Sequence, residues 1–460
     1  MTERGMRFGR RRLLVAAGAV AVGTGVAVPA VGTPPAAAAP ADGGEDRLVR
    51  ALEHGARPLA TAEPGGRSGD LWALAGMIGG AKVVGLGEAT HGSHEFFALK
   101  ERLFRHLVEE KGFTTFALEM SWTSGLRIDS YVRGETGGDA VRLVREEFGG
   151  SPWERAEFAS LIGWMREYNR RRPGRPLRFT GDDIGAPRLG DDVFRRVVGH
   201  VRTAAPSAAP RLEALYAPLR PLDDVFSYLG RPVAERRAHA ARAAEALELV
   251  AGGGAAAGEA GAWAEQHARV IARTFEFLTL DVTDPATVTA AELLRDRTMA
   301  ENTAWWQRHV GGKVLVSAHN GHVGYLATDT ALYPKTQGAF LRDTLGRDYL
   351  AIGTTFAGGS FLTKGSSLGS QDWKTVTVPP AAPGSNEHLL DRVRHRDFYL
   401  DLRTVPAPAR RWLETARPTY EAGSVFRADP LPTLAPGRAY DLLVHLHHVR
   451  AADRLPERAG

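Results

Sequence analysis

The sequence predicts an α/β protein: a largely parallel central sheet flanked by helices, with a helical insertion between two of its strands. Three observations predict it. Four runs of β-branched and aliphatic residues each end at an acid or a histidine. The first two runs are joined by one amphipathic helix, the layout of a βαβ unit. A long stretch of helical periodicity separates the third run from the fourth.

The runs are Lys82–Gly87, followed by Glu88 and His91; Thr114–Leu118, followed by Glu119; Leu177–Gly181, followed by Asp182 and Asp183; and Lys313–Ala318, followed by His319 and His322. If these are parallel strands of one sheet, the acids and histidines share one crevice. Open α/β sheets bind ligands at the carboxyl ends of their strands.

In chain order, residues 42–70 contain Gly and Pro and predict partial order. Phe96, Phe97, Leu99, Leu103, Phe104, Leu107 and Val108 recur at helical spacing over Ser93–Lys111, and Lys111-Gly112 ends that helix. Further helices are expected over Trp122–Arg133 and Glu154–Arg172. From about 189 to 308 the pattern is helical, with Ala234–Val250 and Ala262–Leu280 as its clearest parts and Gly252–Gly258 as a loop. Pocket selectivity is expected from this insertion. Thr298–Val310 leads into the fourth strand. Tyr349–Phe356 and Tyr440–His448 are later strand candidates, with hairpins and loops between them.

Residues 1–41 form a separate unit. Arg10-Arg11-Arg12-Leu13-Leu14 precedes an apolar segment, and Ala39-Pro40-Ala41 supplies small residues for cleavage. This is the layout of an export signal of the twin-arginine type. It implies an extracellular or cell-envelope location for residues 42–460. The segment is broken by Pro29 and Pro34, so no stable membrane anchoring is expected.

The 460 residues are 43% hydrophobic and 24% charged, a globular balance. The net charge is +5, but residues 1–41 hold five Arg and one Glu, which leaves about +1 for the rest. No Lys/Arg cluster lies among aromatic residues, so no nucleic-acid partner is expected. With no cysteine in the chain, disulfides, thiolate nucleophiles and Cys-bound metals are excluded.

The Gly87–Gly92 motif carries the most chemistry. Its glycines allow a sharp turn off the strand, and Thr90 or Ser93 can cap the helix. Glu88 and His91 are three residues apart on a short loop, within reach of a hydrogen bond. A carboxylate fixes an imidazole's tautomer and raises its basicity, as a water-activating base requires. The plainer reading makes Glu88 a helix cap and His91 a structural residue.

Glu119 and Asp182 end apolar strands and must find partners if buried. Asp183 is expected to be the solvated member of its pair. His319-Asn320-Gly321-His322 supplies two imidazoles and an amide that could polarise a carbonyl. Its spacing, with His91 and His94, could also hold a divalent metal. Gly365-Ser-Ser367-Leu-Gly369 matches the serine-hydrolase elbow, but a strand-like run follows it where that elbow needs a helix. His445, His447 and His448 lie in a strand read as a sheet edge. Trp305-Trp306 reads as helix packing.

These residues resemble the erythromycin esterase family. Gly87-Glu-Ala-Thr-His-Gly92 carries the likeness, with Glu95-Phe-Phe97, Lys100, Arg102-Leu-Phe104 and Leu118-Glu119 downstream. Arg297, Met299-Ala300, Asn302 and Ala318–Val323 extend it. The resemblance implies metal-independent hydrolysis of a lactone, with the residue matching His91 activating water and that matching Glu88 supporting it. It also implies active-site roles for His319 and His322. Glu119, Asp182, Lys100 and Arg297 are then expected to bind substrate or support the histidines.

The expected partner is a small-molecule ester or lactone, with no cofactor. Two alternatives stand beside this: a metal-dependent hydrolase using His91, His94, His319 and His322, and an exported protein binding haem or another small molecule. The export signal separates this chain from the family's macrolide-resistance enzymes.

Overall fold

A computed structural model describes residues 42–252, 257–282, 284–364 and 372–456. The proposed export signal, most of the Gly252–Gly258 loop and Ser367 lie outside them.

Twelve strands occur among the described residues: β1 (Arg57–Pro58), β2 (Val83–Leu86), β3 (Phe113–Ser121), β4 (Arg178–Asp183), β5 (Lys313–Ser317), β6 (Tyr349–Phe356), β7 (Gly359–Lys364), β8 (Trp373–Val378), β9 (Phe398–Asp401), β10 (Arg417–Pro418), β11 (Thr433–Leu434) and β12 (Leu442–Leu446). Eight form one sheet in the order β1-β9-β12-β6-β2-β5-β3-β4. From β12 to β4 every neighbour is parallel. Only β9 runs against the others, pairing antiparallel with β12 and with β1 at one edge.

Residue alternation explains why both faces are covered. Val84, Leu86, Phe116, Leu118 and Leu315 point to one apolar core, together with Phe96, Leu103 and Phe104 of the helix His94–Lys111. Val83, Ala117, Val314 and Val316 point to the other, together with the helical stretch between β4 and β5. Side chains alternate at period 2 along a strand, so continuous aliphatic runs are what a sheet buried on both faces requires.

The strand order also creates the crevice. From β2 the chain moves towards β3 and β4; from β5 it moves the opposite way, towards β6 and β12. β2 and β5 are neighbours, so the connections diverge between them. That divergence is where α/β sheets open a ligand site.

Several expectations need correction. The segment after residue 41 is more ordered than its composition suggests, with a helix at Asp42–Gly55. An additional helix, Ala140–Phe148, precedes Ala156–Arg171. The last strand is shorter than read and is not an edge, since β6 and β9 flank β12. His445 in this strand and His447 just beyond it share one acceptor, Asp391. The segment holding Ser367 connects β7 to β8, an antiparallel hairpin, so the next described element is a strand and not an elbow's helix. Trp305 and Trp306 pack with Trp122 and Trp263 between helices.

Candidate active site

The loop after β2 turns beside the loop after β5. A Cβ on Gly87 would stand 2.1 Å from Asn320 Oδ1, so only glycine permits this approach. Asn320 bonds both ways to Thr354, donating to its carbonyl at 2.8 Å and accepting its N–H at 3.0 Å. That amide is committed to the scaffold and is not available to polarise a substrate carbonyl. Ser93 precedes the next helix, but its hydroxyl bonds Thr90 at 2.5 Å and caps no helical N–H.

Glu88 and His91 are fully buried. His91 Nδ1 lies 2.6 Å from Glu88 Oε1. An ionised carboxylate only accepts, so Nδ1 carries the proton. In the neutral ring the lone pair is then on Nε2, which is buried and bonds no other described group. The other Glu88 oxygen accepts from Lys100 Nζ, which also reaches the Ala318 carbonyl at 3.3 Å. Burial pulls the Lys100 ammonium below its usual range, against the opposing pull of Glu88.

His319 faces His91, with ring centroids 4.9 Å apart. Its Nδ1 accepts from the Gly321 N–H at 3.2 Å. Burial, and then the nearby His91, push its protonation well below the ordinary range. His319 is therefore neutral, with its one proton on Nε2, and that atom also bonds no other described group. A base-type nitrogen and a donor nitrogen thus sit in adjacent rings.

His322 is different. Its Nδ1 meets Asp296 at 2.6 Å and its Nε2 meets Glu119 at 3.3 Å. Burial opposes its charge, but Glu119 and Asp296 outweigh burial and hold it protonated. With both nitrogens engaged, it cannot share the carbonyl-binding role expected of it.

Glu119 accepts the His319 backbone N–H at 3.0 Å and Arg295 at 2.8 Å. Burial raises its pKa, but His322 and Arg295 pull it well below the usual carboxylate range. Asp183 is buried, contrary to expectation, and grips the Arg295 fork at 2.6–3.1 Å. Asp182 holds no histidine. It accepts from Thr303 at 3.1 Å and Gln337 at 2.7 Å, and burial pushes it well above its usual value.

Arg297 is exposed and lies over the Phe340 ring; Arg295, two residues earlier, is the arginine of the site. His94 does not join the other histidines. It bonds Glu157 and Glu63 at 2.7 Å each, with Asp453 at 3.5 Å. His94, Glu157 and Asp453 form a separate cluster with metal-ligand spacing. The four-imidazole metal set is thus broken: His94 is elsewhere and both His322 nitrogens are engaged.

A cavity of about 340 Å³ opens onto His319, His322, Tyr333 and Glu421, with apolar walls that include Leu332 and Val425. That size is within the range of small-molecule sites. Its walls come from residues 319–333 and 421–432, and none from the helical insertion. Glu421 was missed by sequence reasoning because no strand-like run precedes it. Arg295 and Asp296 carried a faint signal: with Glu292 and Met299 they share one stripe of the helix Val288–His309.

A family model described as erythromycin esterase matches residues 108–449. Erythromycin esterase type II of Escherichia coli is 25% identical over 322 residues, covering 65% of this chain and 74% of that protein. A crystal structure of a Bacillus cereus protein is similar at a TM-score of 0.81 and 28% identity, covering 91% of this chain and 100% of that one. A mutant of the erythromycin esterase EreC, in its open conformation, shares the fold at a TM-score of 0.69 and 20% identity, over 87% of this chain and 99% of that one. The chain belongs to the erythromycin esterase family, a membership that supports a hydrolase of the ester and lactone type.

Proposed function

We propose that the protein is an exported hydrolase of carboxylic esters or lactones that works by direct water attack. His91 Nε2 takes a proton from water as the water oxygen attacks the carbonyl. Glu88 holds the ring's tautomer and stabilises the imidazolium that forms. The His319 Nε2–H donates to the carbonyl oxygen as it gains negative charge, which requires a donor already aimed at that point. Lys100 balances Glu88, and the Glu119–Arg295–Asp183 lattice fixes the backbone under His319. No covalent acyl-enzyme is formed.

One observation carries this reading: His91 is bonded to Glu88 through Nδ1 at 2.6 Å while its Nε2 has no partner among the described residues. A site that only binds a ligand needs no such oriented base. The experiment is a panel of esters and lactones assayed with the wild type and His91→Ala. A loss of about 10²–10⁴-fold in kcat is expected. Unchanged hydrolysis by the variant, or a covalent acyl adduct trapped on Ser367, overturns the reading.

A further inference from the structure

The leaving alcohol of an ester departs as an alkoxide unless something protonates it. His91 takes the proton of the attacking water, and a second group lining the cavity can supply one to the alcohol. Glu421 lines that cavity, and its side chain is 11% exposed.

The position of Glu421 is dictated by backbone pairing. The His91 N–H donates to the Ala422 carbonyl at 3.0 Å, and the Ala422 N–H donates to the Ala89 carbonyl at 2.7 Å. The 420–422 segment therefore lies as a strand along the loop that carries the base. Alternation sends Tyr420 and Ala422 into the apolar core and leaves Glu421 on the opposite side. Its Oε1 comes 3.6 Å from His319 Nδ1. That nitrogen already accepts the Gly321 N–H, so an ionised carboxylate there would set two acceptors against each other. The neutral acid avoids this conflict.

We infer that Glu421 is the general acid of the reaction, the group that protonates the leaving alcohol. The inference rests on the hydrolase reading above. Water's proton goes to His91 Nε2 as the new C–O bond forms. As the ester C–O bond breaks, the alcohol oxygen takes the proton of the Glu421 carboxyl. His91 then releases its proton to solvent and Glu421 regains one from solvent, so the sum is the addition of one water. Burial pushes the Glu421 carboxyl up to about 7, against the opposing pull of a Thr328 hydrogen bond and the His322 charge. A base and an acid held in different environments are the pairing such chemistry uses.

The test compares wild type, Glu421→Gln and His91→Ala on acetate esters whose alcohols differ in acidity, from p-nitrophenol to ethanol. p-Nitrophenolate leaves without a proton. Glu421→Gln should hydrolyse that ester within about threefold of wild type, yet lose about 10²–10⁴-fold in kcat on the ethyl ester. His91→Ala should lose both. A Glu421→Gln variant that slows the two esters alike, or neither, overturns the inference while leaving the hydrolase reading intact. Full activity of His91→Ala on both overturns the reading itself, and the inference with it. Should Glu421→Gln fail to fold, the same contrast is read from Glu421→Asp, whose shorter acid should slow the ethyl ester selectively.

Discussion

Glu119 holds His319 by its backbone and not by its ring: the His319 N–H donates to Glu119 Oε2 at 3.0 Å. The other oxygen of the same carboxylate meets Arg295 and His322. One buried anion thus sets the end of β5 and neutralises two cations beneath it. The His319 ring is left unbonded by Glu119, and its Nε2 bonds no other described group. Replacing one member of such a lattice leaves its partners charged and dry, which costs more than the pair contributes.

Glu119→Gln should therefore destabilise the fold by about 3–5 kcal/mol, the usual penalty for breaking a buried ion pair. Glutamine keeps an acceptor for the His319 N–H, but turns a donor amide towards Arg295 or His322. Chemical denaturation with an unchanged m-value checks this. A loss below about 1 kcal/mol would show that the lattice contributes little.

The two neighbouring aspartates should respond in opposite ways. Burial pushes Asp182 well above its usual value, towards the neutral acid, and its side chain bonds only neutral partners, Thr303 and Gln337. Asp182→Asn removes no charge and should cost less than about 1 kcal/mol. Asp183→Asn breaks the bidentate grip on Arg295 and should cost about 3–5 kcal/mol. Equal losses, measured by urea unfolding, would refute the assigned charge states.

Much of this site was legible because a doubly covered parallel strand must be aliphatic along its whole length. An acid or histidine at its end then stands out, as Glu88, Glu119, Asp182 and His319 do. The helix Val288–His309 hid its contribution for the converse reason. Its buried face carries Glu292, Arg295 and Asp296 beside Met299 and Trp306, so apolar periodicity is lost. Arg297, the arginine of the resemblance, lies two residues from Arg295, which turns its side chain about 200° around the helix and out of the site. Glu421 was beyond reach in another sense. Its place depends on pairing with residues 89–91, more than 300 positions away, and nothing local in the sequence encodes that register.

His94 predicts a pH dependence of stability. Burial opposes its charge, but Glu157 and Glu63 raise its pKa to about 9 in the folded chain, above the unfolded value of about 6.5. The sign follows from proton binding: the folded state holds the proton more tightly. The stabilisation is complete below about pH 6.5 and is lost as pH rises through about 9. Thermal unfolding between pH 6 and 10 should show this decline in the wild type and a flatter profile in His94→Gln. Parallel profiles would remove His94 as the cause.

Two glycine substitutions separate close approach from simple helix propensity. A Cβ on Gly92 would lie 2.0 Å from the Leu362 carbonyl oxygen, where β7 pairs with the loop through the Leu362 N–H at 2.9 Å. Neither partner can yield, because both are backbone. Gly92→Ala should push β7 away, cost about 1–3 kcal/mol as overpacking does, and lower kcat through its neighbour His91. Gly199 lies in the helix Asp191–Ala204 with open space around its Cβ position. Gly199→Ala should stabilise by about 0.5–1 kcal/mol, since alanine loses less backbone entropy in a helix, and should leave kcat unchanged. Differential scanning calorimetry with ester hydrolysis on the same samples reads both effects. A stable, fully active Gly92→Ala would mean that the catalytic loop does not depend on its contact with β7.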